Sequence, residues 1–584
     1  MLLRALTFLL STAPLIAFAL ANEATIEVVD DEVVIPTLGR RNGNMAPHPA
    51  LPYVAMPDNA RPIRNGTELP PYSTLYYFDQ LIDHNKPELG TFKQRYMFTW
   101  EYYEKGGPII LSTPGQIAQP NHGAAVVLEH RFFGLSNPYP DLSSGSLSVL
   151  TLEQSTADLV YFAKNVHLPF PTDVEDGSKV GPDRNPWILV GGSYSGALVS
   201  WTMNSHPGVF HAGYSSSGVV QAISYYWAYF EPIRQYMPKN CSADVERVIN
   251  YMDLTFTFGS KKEKKALRAK FGMPNVTHYD DVAGTLRNQL WAWQSLTPAS
   301  GGGEFFTFCD ALEVKNGTAA GPKGWGLEHA LDAWGKYETH ECLGSYDSTL
   351  GYFHDTKVDN AYRSWMWFCC NEVGYWQDGA PLGWPSIVTR LVTPQYDERQ
   401  CTYWFPEAFP TAARAKTLDT NRKYKGWDVN QDRLFFVNAN KDPWREATVS
   451  SDFHRRLSTS RQPIHVLENG YHCSDLITRF NIASDIKKVQ DTAVQTFTKW
   501  ISEFVPKNKR EVSESVEKKS VLDNEVMPPI FERDSTALPP VNATPPTVDL
   551  GSVNAGASVD PAQSGASPSH VAPKNAWRLG AVVV

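Results

Sequence analysis

The order of apolar and polar positions changes character along the chain, and each change marks an element or a boundary. From Tyr76 to Tyr103 the pattern predicts two early strands, 76–84 and 91–103, divided by a turn at 85–90. Two unbroken apolar runs follow, "GPIILSTPG" and "AAVVLEHRFFG". They lack the alternation of a half-exposed strand, so they read as strands buried on both faces of a parallel sheet. A helix with a legible start comes next: Thr151 and Gln154 have capping-box spacing, and Leu152, Leu159, Val160, Phe162 and Ala163 form a partial apolar face. A strand at Trp187–Val190 then runs into two glycines and a second helix. Strand, helix, strand, tight turn, helix is the succession of a doubly wound α/β fold.

Between about 221 and 425 this succession stops. Charged helical stretches such as "KKEKKALRAKF" alternate with Trp-rich ones such as "RSWMWFCCNEVGYWQDG". The pattern predicts a mostly helical insertion lying over the sheet. Buried strands return in "RLFFVNAN" and "PIHVLENG", and an amphipathic helix using Ile486, Val489, Ala493, Phe497, Trp500, Ile501 and Phe504 closes the fold. The divisions that follow are 1–21, 22–70, 71–220, 221–425, 426–505 and 506–584. The first is a signal peptide, with Arg4 before an apolar stretch and Ala19-Leu20-Ala21 as the cleavage pattern. The second is a polar, Pro-rich leader with a dibasic pair at Arg40 and Arg41. The last buries too little apolar surface to offset its ordering entropy and is expected to be disordered.

Composition narrows the function. With 53 basic against 62 acidic residues and a pI near 5.9, the chain has no electrostatic footprint for nucleic acid or an anionic membrane. Export, with no membrane anchor, places the seven cysteines in an oxidising compartment. None of them pairs at C-x-x-C spacing, so disulfides are expected rather than a zinc site, with at least one thiol left over.

The chemistry centres on Gly191-Gly192-Ser193-Tyr194-Ser195-Gly196. A serine hydroxyl is a weak nucleophile that needs a base for its proton and dipoles for the developing oxyanion. A sharp strand-to-helix turn lifts it clear of the sheet, and the crowding there favours glycine on both sides. The usual pattern is Gly-x-Ser-x-Gly; here Gly196 stands one place late. In this arrangement the acid and the histidine follow the serine, each just after a late strand. Asp442 and His472 occupy those places, with Tyr194 N–H as the oxyanion donor. Asp475, three residues after His472, is read as the cap of the next helix.

"GGSYSGAL", "EHRFFGLSNPY", "KDPWR" and "HCSDL", with "LIDHNKPELGTFKQRY" and "CNEVGYWQDGAP", resemble the proline-specific serine peptidases. That family comprises Pro-X carboxypeptidase, the lysosomal dipeptidyl peptidase and the secreted acid prolyl endopeptidases, and the last branch is the most similar because it too has serine at position 195. The resemblance implies an α/β-hydrolase core with a helical cap, cleavage after proline at acidic pH, and Ser193, Asp442 and His472 as the triad, with no metal or cofactor. It also implies Trp444 as a wall of the proline pocket. Glu129, His130 and Arg131 match a family motif and are read as buried polar support for the sheet edge. Cys369 stands where the family does not usually have cysteine and is the candidate free thiol.

One departure is serious. Only "QIAQPNHG", 116–123, separates "ILSTPG" from "AAVVLEH", where the family has a Gly-rich loop and a helix. A parallel crossover takes a dozen or more residues, and that loop would supply a second oxyanion donor. Two alternatives to a secreted prolyl endopeptidase stay open: an exopeptidase of the same family, because charged cap residues that would bind a peptide terminus are not placed by sequence, and, on the short connection, a homologue that binds peptides without cutting them. A general esterase or lipase would share the triad but not the family motifs.

Overall fold

Alternate side chains of the central strands go to two different apolar clusters, and this alternation builds the middle of the fold. Ile109, Leu111, Leu189, Leu434 and Phe436 join the larger cluster, while Ile110, Ile188, Val190, Phe435 and Val437 join the smaller one on the opposite face. The computed structural model describes residues 60–111, 115–300, 302–337 and 345–507, together with the backbone of three short strands before them. The signal segment, most of the leader, nearly all of the tail and Cys342 lie outside the described residues.

The main sheet has eight strands. They are β1 Leu75–Leu81, β2 Thr91–Thr99, β3 Ile109–Leu111, β4 Ala124–Leu128, β5 Trp187–Gly192, β6 Ala212–Ser216, β7 Leu434–Ala439 and β8 Ile464–Leu467. From one edge the order is β1-β2-β4-β3-β5-β6-β7-β8. β2 is antiparallel to both its neighbours, and every other pairing is parallel. This is an α/β-hydrolase core.

Helix α1, Leu152–Asn165, follows β4 and α2, Tyr194–Ser205, follows β5. Thr151 caps α1 by accepting from Gln154 N at 3.1 Å, as its spacing predicts. The reciprocal half of the capping box is missing because the Gln154 side chain is engaged elsewhere. Its oxygen accepts from His84 N at 2.9 Å and its nitrogen donates to Asp83 at 2.6 Å, pinning the end of β1. Arg131, fully buried, pairs with Asp158 of α1 and donates to the carbonyls of Leu81, Ile82 and Val149. The "EHR" motif thus ties sheet edge to helix, with Glu129 paired to Arg95 alongside.

The helical cap comes from the chain between β6 and β7. It holds α3 Lys239–Phe258, α4 Tyr279–Trp291, α5 Glu304–Glu313, α6 Leu327–Tyr337 and α7 Ala361–Phe368, the last running into a π-helical turn at Cys369–Val373. Disulfides join Cys241 to Cys309 and Cys370 to Cys401. Cys369 is a buried free thiol, as expected, and so is Cys473. α8, Ser484–Ser502, covers the opposite face with Ile486, Val489, Ala493, Phe497 and Trp500. Among the described residues no helix is long and apolar enough to cross a membrane.

The crossover expectation is corrected in length alone, since among its described residues the connection holds no full helix, as expected. β3 ends at Leu111, earlier than its apolar run suggests, so the connection to β4 occupies 112–123 and reaches the dozen residues that a parallel crossover takes. It contains one helical turn, Gly115–Ala118, and a 3-10 turn, Gln119–Asn121. Residues 112–114 lie outside the described residues.

Candidate active site

Ser193 is the single residue between β5 and α2, and its backbone is bent to φ 57° and ψ −125°. A positive φ is costly for any residue with a Cβ and persists only where the surroundings impose it. Here Ser193 N donates to Ser216 O at 2.9 Å, which helps to hold the bend. A Cβ on Gly191 would lie 2.4 Å from Ser195 O, and one on Gly196 would lie 2.8 Å from Ser216 O. The close approach falls on 191 and 196, while Ser195 fits in a buried place, which accounts for the late glycine. Tyr194 opens α2, so its N–H has no acceptor within the helix and faces the turn at the positive end of the helix dipole.

Asp442 lies in the loop after β7 and His472 in the loop after β8. Asp442 is fully buried, and one of its oxygens, Oδ1, takes two hydrogen bonds: from Trp444 N at 2.9 Å and from His472 Nδ1 at 2.9 Å. Burial works against charge on the His472 ring. The Asp442 carboxylate, with Cys473, outweighs it and holds the imidazolium well above the ordinary histidine range. Nε2 of His472, Oγ of Ser193 and Oδ2 of Asp442 are buried with no hydrogen-bond partner among the described residues.

The end of β6 brings the serine and the histidine to one rim. Ser216 O accepts from Ser193 N, and it also takes the Cys473 thiol at 3.6 Å. Ser217 Oγ accepts from Cys473 N at 3.0 Å. Ser193 and the residue next to His472 therefore hang from one dipeptide. The Ser193 Oγ to His472 Nε2 hydrogen bond is not made in this conformation, and such bonds are often loose without substrate. Asp475 does not cap a helix. It is buried, accepting from Ser216 Oγ at 2.7 Å and from Tyr214 OH at 2.7 Å, and burial pushes its carboxyl up to about 6. These two partners stand on β6, so Asp475 anchors the histidine loop to the strand whose last carbonyl accepts from Ser193 N.

A family model described as "Serine carboxypeptidase S28" matches residues 80–292 and 326–491. The chain belongs to this family. It is a serine-type peptidase with an α/β-hydrolase core. Among curated relatives it is 34% identical to "Serine protease vicPa" of Bipolaris victoriae, over 73% of this chain and 88% of that one. To "Serine protease vicPb" of the same organism it is 33% identical, over 75% and 91%. To "Probable extracellular serine carboxypeptidase" of Arthroderma benhamiae it is 30% identical, over 70% of this chain and 64% of that one.

Trp444 is buried in a ring of aromatic side chains beside His472. Its ring lies 6.5 Å from that of His472, 5.6 Å from Tyr226, 5.4 Å from Tyr229 and 5.3 Å from Tyr375. The last two stand nearly perpendicular to it, at 85° and 88°. Tyr226 and Tyr229 come from the start of the insertion and Tyr375 from its far end, so the cap supplies most of this wall. Sequence reading placed none of the three, since nothing local links them to Trp444. His130 was read as edge support alone, yet its Nε2 meets Tyr194 OH at 3.1 Å, and burial lowers its pKa to about 4, which keeps it neutral beside the turn. Among the described residues no group of three or more His, Cys, Asp or Glu side chains could hold a metal ion.

Proposed function

We propose that this S28 peptidase is secreted and hydrolyses peptide bonds on the carboxyl side of proline through Ser193, His472 and Asp442. The observation that carries the reading is the arrangement at the rim. His472 is held through Nδ1 by a buried carboxylate, its Nε2 is uncommitted, and the strained Ser193 shares an anchor with the histidine loop.

With Oγ of Ser193 turned to Nε2 in the substrate complex, His472 takes the proton as Oγ attacks the scissile carbonyl. The oxyanion that forms is received by Tyr194 N–H at the start of α2. His472 returns its proton to the leaving amine, and water then releases the acyl group through the same base. Asp442 holds the ring with Nε2 outward and stabilises the imidazolium. The flat indole of Trp444 makes an apolar, shape-selective wall suited to a pyrrolidine ring. The extracellular relative and the apolar start of the chain support secretion.

The acidic working range that the resemblance implies meets an opposing field. His472 acts as a base only when neutral, and Asp442 raises the pH at which it becomes so. The base limb is accordingly placed above the ordinary histidine value.

A fluorophosphonate probe tests the nucleophile: labelling that vanishes in Ser193→Ala supports the reading, and an unlabelled wild-type protein supports the peptide-binding alternative. Blocked internal peptides assayed beside free-ended ones separate endopeptidase from exopeptidase action. Cleavage of the free-ended peptides alone would overturn the endopeptidase form.

A further inference from the structure

The cap reaches the two catalytic loops through one short turn. The 3-10 turn Ala292–Ser295 follows α4 and carries Trp293 and Gln294, both buried. Trp293 Nε1 donates to the carbonyl of Lys441 at 2.8 Å, one residue before Asp442. Its ring also packs 5.7 Å from that of Tyr471, one residue before His472. Gln294 takes the other side. Its Oε1 accepts from Trp444 Nε1 at 2.9 Å and from Tyr229 OH at 2.8 Å.

An aromatic cluster held by dispersion alone tolerates sliding and tilting of its rings, because offset and edge-on arrangements differ little in energy. A buried indole N–H and a buried phenol O–H must each find an acceptor, and leaving either unmade costs about 1–3 kcal/mol. Here both donors converge on one oxygen, so the neighbouring rings of Trp444 and Tyr229, 5.4 Å apart, are fixed relative to each other. We infer that Gln294 is a positioning residue that sets the orientation of Trp444 and thereby the shape selectivity of the P1 pocket. Among the described residues its side chain hydrogen-bonds Trp444 and Tyr229 rather than Ser193, His472 or Asp442, so its effect passes through the pocket wall. The inference rests on the proposed role of Trp444 as that wall.

The test uses the secreted full-length protein and two peptide series that differ only at P1, one with the residue the wild type prefers and one with alanine. Gln294→Leu keeps the bulk and removes the acceptor. The expected result is a loss of about tenfold in kcat/KM for the preferred series, carried mainly by KM. The alanine series and the rate of fluorophosphonate labelling should stay near wild type. Gln294→Glu, which keeps an oxygen in place, should restore the preference. Should Gln294→Leu fail to fold, Tyr229→Phe removes one of the two donors and is expected to give the same KM-borne change at about threefold.

Three results would overturn the inference: unchanged selectivity in Gln294→Leu, a parallel fall in both series and in labelling, or Glu behaving as Leu does. The proline reading is judged separately by the wild type. If its preferred P1 residue is not proline, that reading falls, and Gln294 is judged on the residue that is preferred.

Discussion

Replacing Asp442 with asparagine should be less damaging here than the usual role of such a carboxylate suggests, and the reason is a shared oxygen. When asparagine turns its amide toward the histidine, the ring is forced into the wrong tautomer and about 10⁴-fold in rate is lost. In this protein Oδ1 of Asp442 accepts from both His472 Nδ1 and Trp444 N, while Oδ2 has no partner among the described residues. The Trp444 N–H can only donate, so in Asp442→Asn it compels the amide oxygen to stay at the Oδ1 position. The histidine keeps its acceptor and its tautomer.

What the variant loses is charge. Two unit charges about 4 Å apart at an effective dielectric of about 20 interact by about 4 kcal/mol. At about 1.4 kcal/mol per decade this is a loss of about 10³-fold. The pH dependence carries a second signature. Asp442 is the largest influence raising the His472 pKa, so in the variant burial is opposed less and the base limb of kcat/KM moves to lower pH. The deficit against wild type therefore shrinks on acidification. kcat/KM for one peptide substrate, measured for both proteins across the pH range, checks both. A loss of 10⁴-fold or more with an unmoved limb would show that the amide is turned the wrong way. A loss under tenfold would remove Asp442 from the relay.

Asp475→Asn should gain stability relative to wild type as pH rises from about 4 to 6, since a carboxyl raised to about 6 by burial stabilises the fold only while protonated. The expected change is on the order of 3 kcal/mol in urea unfolding, and a pH-independent difference would contradict it. Asp158→Asn leaves the fully buried Arg131 without its carboxylate and should cost about 3–5 kcal/mol, read as a fall in the denaturation midpoint. Replacing Cys370 and Cys401 by alanine opens a loop of 31 residues inside the cap and should cost about 2–5 kcal/mol. Unchanged thermal unfolding would show that the bridge constrains little.

The proposed nucleophile was legible because the turn that carries Ser193 imposes itself on the local sequence: Gly191 and Gly196 stand where a Cβ would strike backbone. Asp442 and His472 were legible because each follows a late apolar run, and the ends of parallel strands share one rim of the sheet. Asp475 was misread because its partners lie 259 and 261 residues away, and a carboxylate after a histidine carries no local sign of them. Gln294 and the tyrosines around Trp444 were illegible for the same reason. The disulfide pairs were left open, since spacing alone does not select among connectivities.

The short crossover shows how a local deficit in sequence is resolved at long range. In a doubly wound fold each crossover helix covers one face of the sheet, so a connection with a single helical turn should leave apolar surface bare. It does not, because Ile117 and Ala118 of that turn join the cluster that α8 covers with Ile486, Val489, Phe497 and Trp500. Thr498 of α8 also donates to Asn121 at 2.8 Å, fastening the crossover to the helix that shares its task. The face is closed by a segment 377 residues later at the Asn121–Thr498 contact, and the strands keep the parallel order that puts β5, β7 and β8 at one rim. The short crossover is therefore compatible with a fully formed sheet. Its bearing on rate is confined to whatever the loop after Leu111 offers the oxyanion. A sheet-wide loss of packing would lower stability and labelling together, whereas a missing oxyanion donor would slow peptide turnover by about 100-fold or more and leave the unfolding midpoint unmoved.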